Sequence, residues 1–315
     1  MNEDSLQIKL LQPGGFPVLY GTTPPRADAP EDRVQRAATR LAERIGRLSL
    51  DGLIVYDVQD ESARTDEPRP FPFLPTRDSR DYAYRLTTLT GLPTVAYKCV
   101  ASMSESAWPE WLDNTAERFG VRSLALVGRA SSRAGSAGLP VTRALQMAAG
   151  HAAGFALGGV AIPERHTPER SESRRLLQKG EAGCRFFVSQ AVYNPDAVIA
   201  LCQDYARDCR EQELAPRRIV LTFTPCGRPE TLQFLRWLGI AIPEPVAQAI
   251  LTAESPLGES LRICSQSLRK ILDAGVADDV PLGINVESVS IRKEEIEASI
   301  DLCALLQAVS GGTIG

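Results

Sequence analysis

The sequence predicts one α/β domain, a single (β/α)8 TIM barrel over residues 1–315. Three observations lead there. Short β-branched runs alternate with stretches of helical period, the pattern of parallel strands joined by right-handed crossovers. About eight such units fit a chain of this length as a closed ring. No GxGxxG follows the first apolar run, as a dinucleotide-type open sheet would require.

The expected strands are 16–21 (FPVLYG), 52–57 (GLIVYD), 94–99 (TVAYKC) and 123–128 (SLALVG), followed by 155–162 (FALGGVAI), 184–190 (CRFFVSQ), 218–223 (RIVLTF) and 281–287 (PLGINVE). Each is short, rich in Val, Ile, Leu or aromatics, and bounded by Gly, Pro or polar residues. Helices are expected at 30–48, 106–120, 167–183, 194–212, 228–239, 259–275 and 290–307. The first opens on Pro30 with Glu31 and Asp32 behind it, which suits the donor-rich start of a helix. The second closes on Gly120, a normal stop. Two long loops, 58–78 and 129–140, follow strands and so belong to the catalytic face of a barrel.

Composition narrows the class of function. Hydrophobic residues are 43% and charged residues 23% of the chain, a globular balance. The net charge of −4, with acids and bases interspersed, disfavours a nucleic-acid binder. The first residues, MNEDSLQIKL, carry no apolar signal region, and no run reaches the roughly 18 apolar residues of a membrane span. The seven cysteines form no CxxC pair and read as buried thiols in a reducing, cytoplasmic setting. With only two histidines and no HExxH, zinc is not expected.

In a barrel the C-terminal strand ends form the site. Here they carry Gly21 with Thr22 and Thr23, then Asp57, Asp60 and Glu61, then Lys98 and Cys99, then Gly128 and Arg129. Glu164, Arg165 and His166 follow, then Gln190, Tyr193 and Asn194, then Thr224 and Arg228, and last Asn285 and Glu287. A ring of amides and carboxylates suits a polar heteroaromatic ligand held by paired hydrogen bonds. The plainer readings are a solvated acidic loop pairing with Arg64 and Arg69, a helix cap at His166, a loop-capping Asp57, and surface ion pairs at Lys98 and Arg129. Trp108, Trp111 and Trp237 read as packing.

The stretch AIPERHTPERSESRRLLQKGEAGCRFFVSQAVYN (161–194), the TPPR after the first strand and LTFTPCGRPETLQFLRWLGIAIPEPV (221–246) resemble 5,10-methylenetetrahydrofolate reductase, in the same order along the chain. That resemblance implies a barrel of one-carbon metabolism and methionine biosynthesis. It would bind a reduced folate and pass hydride from NADH or NADPH to the methylene carbon. Gln190 matches the family's pterin-contacting glutamine, and Tyr193, Asn285 and Glu287 are further candidates for the substrate. Arg129, Glu164, His166 and Lys98 are candidates for the nicotinamide cofactor.

Two positions depart from the family. Its first strand carries a glutamate that helps protonate the folate, and Gly21 stands there. Its flavin enzymes carry RGD after strand four; here the stretch is VGRA, with Arg129 at the place of the aspartate. FAD is therefore open, and LALVG and VPLGINVES look closer to the flavin-independent branch. Ring opening needs an acid within reach. Asp57, Asp60 and Glu61, after the second strand, are the expected suppliers. The alternative is a folate-binding protein without reductase chemistry, serving a protein partner or another one-carbon reaction. A Schiff-base aldolase would need Lys98 buried at its strand end.

Overall fold

The structure is a computed structural model that describes residues 3–61, 65–128 and 138–311. Eight parallel strands close into a barrel in sequence order. They are β1 (Val18–Thr22), β2 (Gly52–Val55), β3 (Thr94–Cys99), β4 (Ser123–Val127), β5 (Ala156–Ala161), β6 (Phe186–Ala191), β7 (Arg218–Phe223) and β8 (Leu282–Glu287). The helices are α1 (Glu3–Leu11), α2 (Glu31–Ile45), α3 (Ser79–Thr90), α4 (Trp108–Glu117), α5 (Val141–Ala149) and α6 (Glu172–Glu181). Then come α7 (Pro195–Glu211), α8 (Pro229–Trp237), α9 (Glu244–Thr252), α10 (Pro256–Asp273), α11 (Val276–Asp279) and α12 (Lys293–Gly311). Among the described residues no helix is long and apolar enough to cross a membrane.

The expected strands all form, with ends shifted by a residue or two. The helices depart more. The one expected from 167 starts at Glu172, because Thr167 and Arg170 pair in a tight turn and Ser171 then caps the helix through the Arg174 N–H. Helices α1, α3, α5, α9 and α11 fall outside the expected set. In α3, SRDYAYRLTTLT is rich in threonine and poor in helix formers, and burial of Tyr82, Ala83 and Leu86 decides its conformation.

Successive strand residues alternate between two environments, as the pleat requires. One set, including Val18, Tyr20, Leu53, Val55, Ile284 and Val286, packs outward into the main core beneath the helices. The other set fills the barrel: Leu19, Ile54, Val95, Ala125, Ala156, Phe186, Val188 and Val220. Size alternates as well. A Cβ on Gly158 would lie 2.5 Å from the Phe186 ring, so the ring occupies the room the glycine leaves.

Helix α1 seals the bottom. Its Leu6 and Leu10, one turn apart, are buried with the inward residues of the strands. Arg218 at the start of β7 locks the segment that follows α1. Its guanidinium donates to the carbonyls of Gln12 (2.6 Å), Pro13 (3.1 Å), Gly14 (2.9 Å), Gly15 (3.0 Å) and Leu282. Burial pushes its pKa down to about 10. With the floor closed, the strands' C-terminal end is the open mouth.

The cysteines among the described residues are buried free thiols. Trp108 and Trp111 stack at 4.9 Å within the helical layer, and the Trp108 indole donates to the Ala144 carbonyl.

Candidate functional site

Strand parity decides what reaches the mouth. In β8, Leu282, Ile284 and Val286 face outward. The alternate residues Asn285 and Glu287 therefore face the barrel interior. The same parity turns Gly21, Tyr56 and Thr222 inward. In β6 a bulge intervenes: Val188 pairs with Val220, but Ala191 pairs with Thr222. The Ser189 hydroxyl accepts the Thr222 N–H at 2.9 Å within this irregularity. Bulges re-aim side chains, and the residue at this one is Gln190.

A cleft of about 2120 Å³ opens over the mouth, lined by Gly21, Tyr56, Asp57, Glu61, Gln190 and Glu287 among others. The expected glutamine and two of the three expected acids thus share one cavity with Glu287. One wall is aromatic. Phe71 meets Phe234 edge-on at 5.4 Å, and Phe234 stacks on Trp237 at 6.1 Å. The Arg69 guanidinium lies 4.9 Å from the Trp237 ring centre and 5.4 Å from that of Phe73. The long loop that supplies Phe71 and Phe73 is fastened to the end of β1. Ala27 donates to the Pro75 carbonyl and Arg77 to that of Pro25, each at 2.8 Å.

At the centre lies a compact polar cluster. Asn285 Nδ2 donates to Tyr56 Oη (3.0 Å) and Thr222 Oγ1 (3.3 Å). Asn285 Oδ1 and Glu287 Oε2 are both buried without a hydrogen-bond partner. Burial pushes the Glu287 carboxyl up to about 7, against the opposing pull of Tyr56 and Asn285. Tyr56 in turn packs edge-on against Tyr97 at 4.8 Å, and burial raises both phenols.

The acids after β2 divide in role. Asp57 is a brace. Its carboxylate accepts the Cys99 N–H and the Gln59 amide, each at 2.8 Å, and lies 3.6 Å from Lys98 Nζ. It ties the end of β2 to the end of β3, and these hydrogen bonds go to a neighbouring strand and a side-chain amide, in place of the expected cap on its own loop backbone. Asp60 and Glu61 lie near Arg69, whose pKa burial lowers while the two acids pull it back up.

Several other expected residues are placed elsewhere. Tyr193, a substrate candidate, is 1% exposed and donates to the Thr224 carbonyl at 2.7 Å, behind the barrel wall. Helix α7 begins two residues later, and its packing takes the ring inward to a separate core cluster. His166 does not line the cleft. Its Nδ1 accepts the Glu172 N–H at 3.3 Å and its Nε2 lies 2.9 Å from Asp204, so it clamps the start of α6 to α7. Lys98 points to Asp57 and sits 5.7 Å from the Trp111 ring centre, away from the cleft lining. Glu164 also stays outside that lining, although its neighbours Ile162 and Arg165 belong to it. Burial raises its carboxyl to about 7, and its Oε1 has no partner. Arg129 lies outside the described residues, as do 129–137 of the expected second loop.

Tyr56 escaped the sequence reading although its signal was present. In GLIVY the alternation that sends Leu53 and Val55 outward sends Ile54 and Tyr56 inward. The aromatic wall from α8 had no such signal: Trp237 read as packing, and nothing in the sequence singles out Phe234.

No family model matches the sequence, and no curated protein matches it. Among solved structures, an uncharacterised protein from Clostridium thermocellum that binds two copies of 5-methyl-5,6,7,8-tetrahydrofolic acid is 30% identical. The match covers 96% of this chain and 99% of that one, with a TM-score of 0.83. A dihydropteroate synthase from Xanthomonas albilineans aligns over 95% of this chain and 94% of its own at 13% identity. Its TM-score is 0.45, a likeness that carries no functional argument.

Proposed function

The chain belongs to the same family as the Clostridium thermocellum barrel, and on that premise we propose that its mouth binds a reduced folate and reduces 5,10-methylenetetrahydrofolate to 5-methyltetrahydrofolate. The observation that carries this reading is the meeting of Gln190, an aromatic wall and a buried carboxyl in one cleft. A pterin edge presents donors and acceptors side by side, which one carboxamide can answer in both directions. The wall of Phe71, Phe73 and Phe234 offers flat apolar contact to the rest of the ligand. The unpartnered Asn285 Oδ1 supplies a further acceptor for ligand N–H groups. The cleft exceeds the roughly 300–1,000 Å³ of a common ligand site, so a folate and a nicotinamide can share it. In this reading NADH or NADPH supplies the hydride, directly or through a flavin.

A second reading has its own support. Gly21 removes the acid that the reductases carry on their first strand, and the Clostridium thermocellum relative binds the methylated folate itself. Such a barrel would hold 5-methyltetrahydrofolate without making it. Titration with 5-methyltetrahydrofolate, followed by an assay of NADH and NADPH oxidation in the presence of 5,10-methylenetetrahydrofolate, separates the two. Binding with turnover supports the reductase; binding without turnover leaves the carrier. A yellow preparation would identify a flavin.

A further inference from the structure

Gly21 leaves a gap that the neighbouring strand fills. In the ladder between β1 and β8, Gly21 is paired with Glu287. A Cβ on residue 21 would meet the Glu287 Cβ at 3.1 Å, the Asn285 Oδ1 at 3.1 Å and the Tyr56 ring at 2.9 Å. The space a first-strand side chain would need is therefore occupied by Glu287 and the two side chains that surround it. The carboxyl arrives in the same part of the mouth from the strand next door.

We propose that Glu287 is the catalytic acid of the folate reduction, replacing a first-strand glutamate and displacing Asp57, Asp60 and Glu61 from that role. This rests on the reductase reading given above. The geometry supports it in three ways. Glu287 lines the cleft that also contains Gln190. Its Oε2 is enclosed with no protein partner to claim a proton placed there. The titratable groups facing it are the phenols of Tyr56 beyond β2 and Tyr97 from β3, while Tyr20 from β1 lies on the outer side of the wall with its hydroxyl on Ser299. Phenols kept neutral by burial supply no positive charge that would hold the carboxyl ionised. Asp57, by contrast, spends both oxygens on Cys99 and Gln59 and faces Lys98.

The step balances as follows. The Glu287 carboxylic acid gives its proton to N10 of 5,10-methylenetetrahydrofolate, and the bond from the methylene carbon to N10 breaks. The electron pair of that bond stays on N10, and a double bond forms between the carbon and N5. Hydride from the reduced nicotinamide then adds to the carbon, giving the N5-methyl group and the oxidised nicotinamide. Glu287, left as a carboxylate, regains a proton from solvent.

The test compares wild type with Glu287→Gln, which keeps the size and removes the transferable proton. The readouts are 5-methyltetrahydrofolate affinity, turnover of 5,10-methylenetetrahydrofolate with NADH and NADPH, and the pH profile of kcat. The expected variant binds folate within a few-fold of wild type and turns over at least about 100-fold more slowly. Wild-type kcat should fall above about pH 7, and the residual rate of the variant should lack that limb. A variant that binds and turns over like wild type, with the same pH limb, overturns the role of Glu287 and leaves the reductase reading standing. Wild-type protein that binds folate without turnover overturns the reductase reading and this assignment together. If Glu287→Gln is misfolded by circular dichroism, Glu287→Asp replaces it. A shortened but ionisable group should then turn over slowly and retain the alkaline limb, and loss of that limb would overturn the assignment.

Discussion

Glu287 stands opposite Gly21 across the junction where β8 closes on β1, and its Cβ lies 3.1 Å from the place a Cβ on residue 21 would take. The contact is between strands at opposite ends of the chain, so it exists only because the barrel closes. It makes the glycine a consequence of crowding, with Tyr56 and Asn285 completing the enclosure.

Gly21→Ala tests that crowding. The new methyl would meet the Tyr56 ring at 2.9 Å, a distance that forces the ring or the strand to move. Overpacking of this kind costs about 1–3 kcal/mol. The variant should show that loss in a urea unfolding midpoint, together with weaker 5-methyltetrahydrofolate binding, because Tyr56 and Glu287 share the cleft. An unchanged midpoint and affinity would mean that the pocket around residue 21 is looser than the structure has it.

Gln190→Ala addresses the ligand. If Gln190 answers the pterin edge, truncation leaves ligand polar groups unpaired, worth about 1–3 kcal/mol or roughly 5- to 150-fold in Kd. Stability should move little, since the amide's protein contact is a long 3.5 Å bond to the Leu238 carbonyl. Calorimetric titration with 5-methyltetrahydrofolate reads the effect, and an unaltered Kd removes Gln190 from the binding site.

The raised carboxyl of Glu287 has a consequence for stability. Its folded pKa of about 7 lies above the ordinary value of 4.5, so the folded state holds the proton longer than the unfolded chain does. Stability from this group is fully present below about pH 4.5 and is lost as pH rises toward and through about 7. The full shift corresponds to roughly 3 kcal/mol, and relaxation of the site brings the expected loss to about 1–3 kcal/mol. Glu287→Gln should therefore flatten the decline in unfolding free energy between about pH 5 and about pH 8. Glu164, raised in the same sense, should keep a residual slope in the variant. Parallel pH dependences for the two proteins would contradict the buried state of Glu287.

The sequence by itself determined the alternation of strands and helices, and with it the barrel, because period and punctuation are local properties of the chain. It also determined that Gln190, Asp57, Glu61 and Glu287 fall at strand ends on one face. Tertiary structure decided which of these side chains look into the cleft. Helix α1 plugs the floor because Leu6 and Leu10 meet the inward residues of distant strands, and nothing in a polar N-terminal stretch reveals that partner. The register of β6 against β7 shifts between Val188 and Ala191, beside Gln190, and that irregularity comes from the pairing with β7. Tyr193 and His166 were drawn away by packing against Thr224, Glu172 and Asp204. The neighbour that takes the room beside Gly21 is 266 positions along the chain, across the β1–β8 seam. A carboxyl's burial depends on everything that surrounds it in space, and only ring closure brings those groups together.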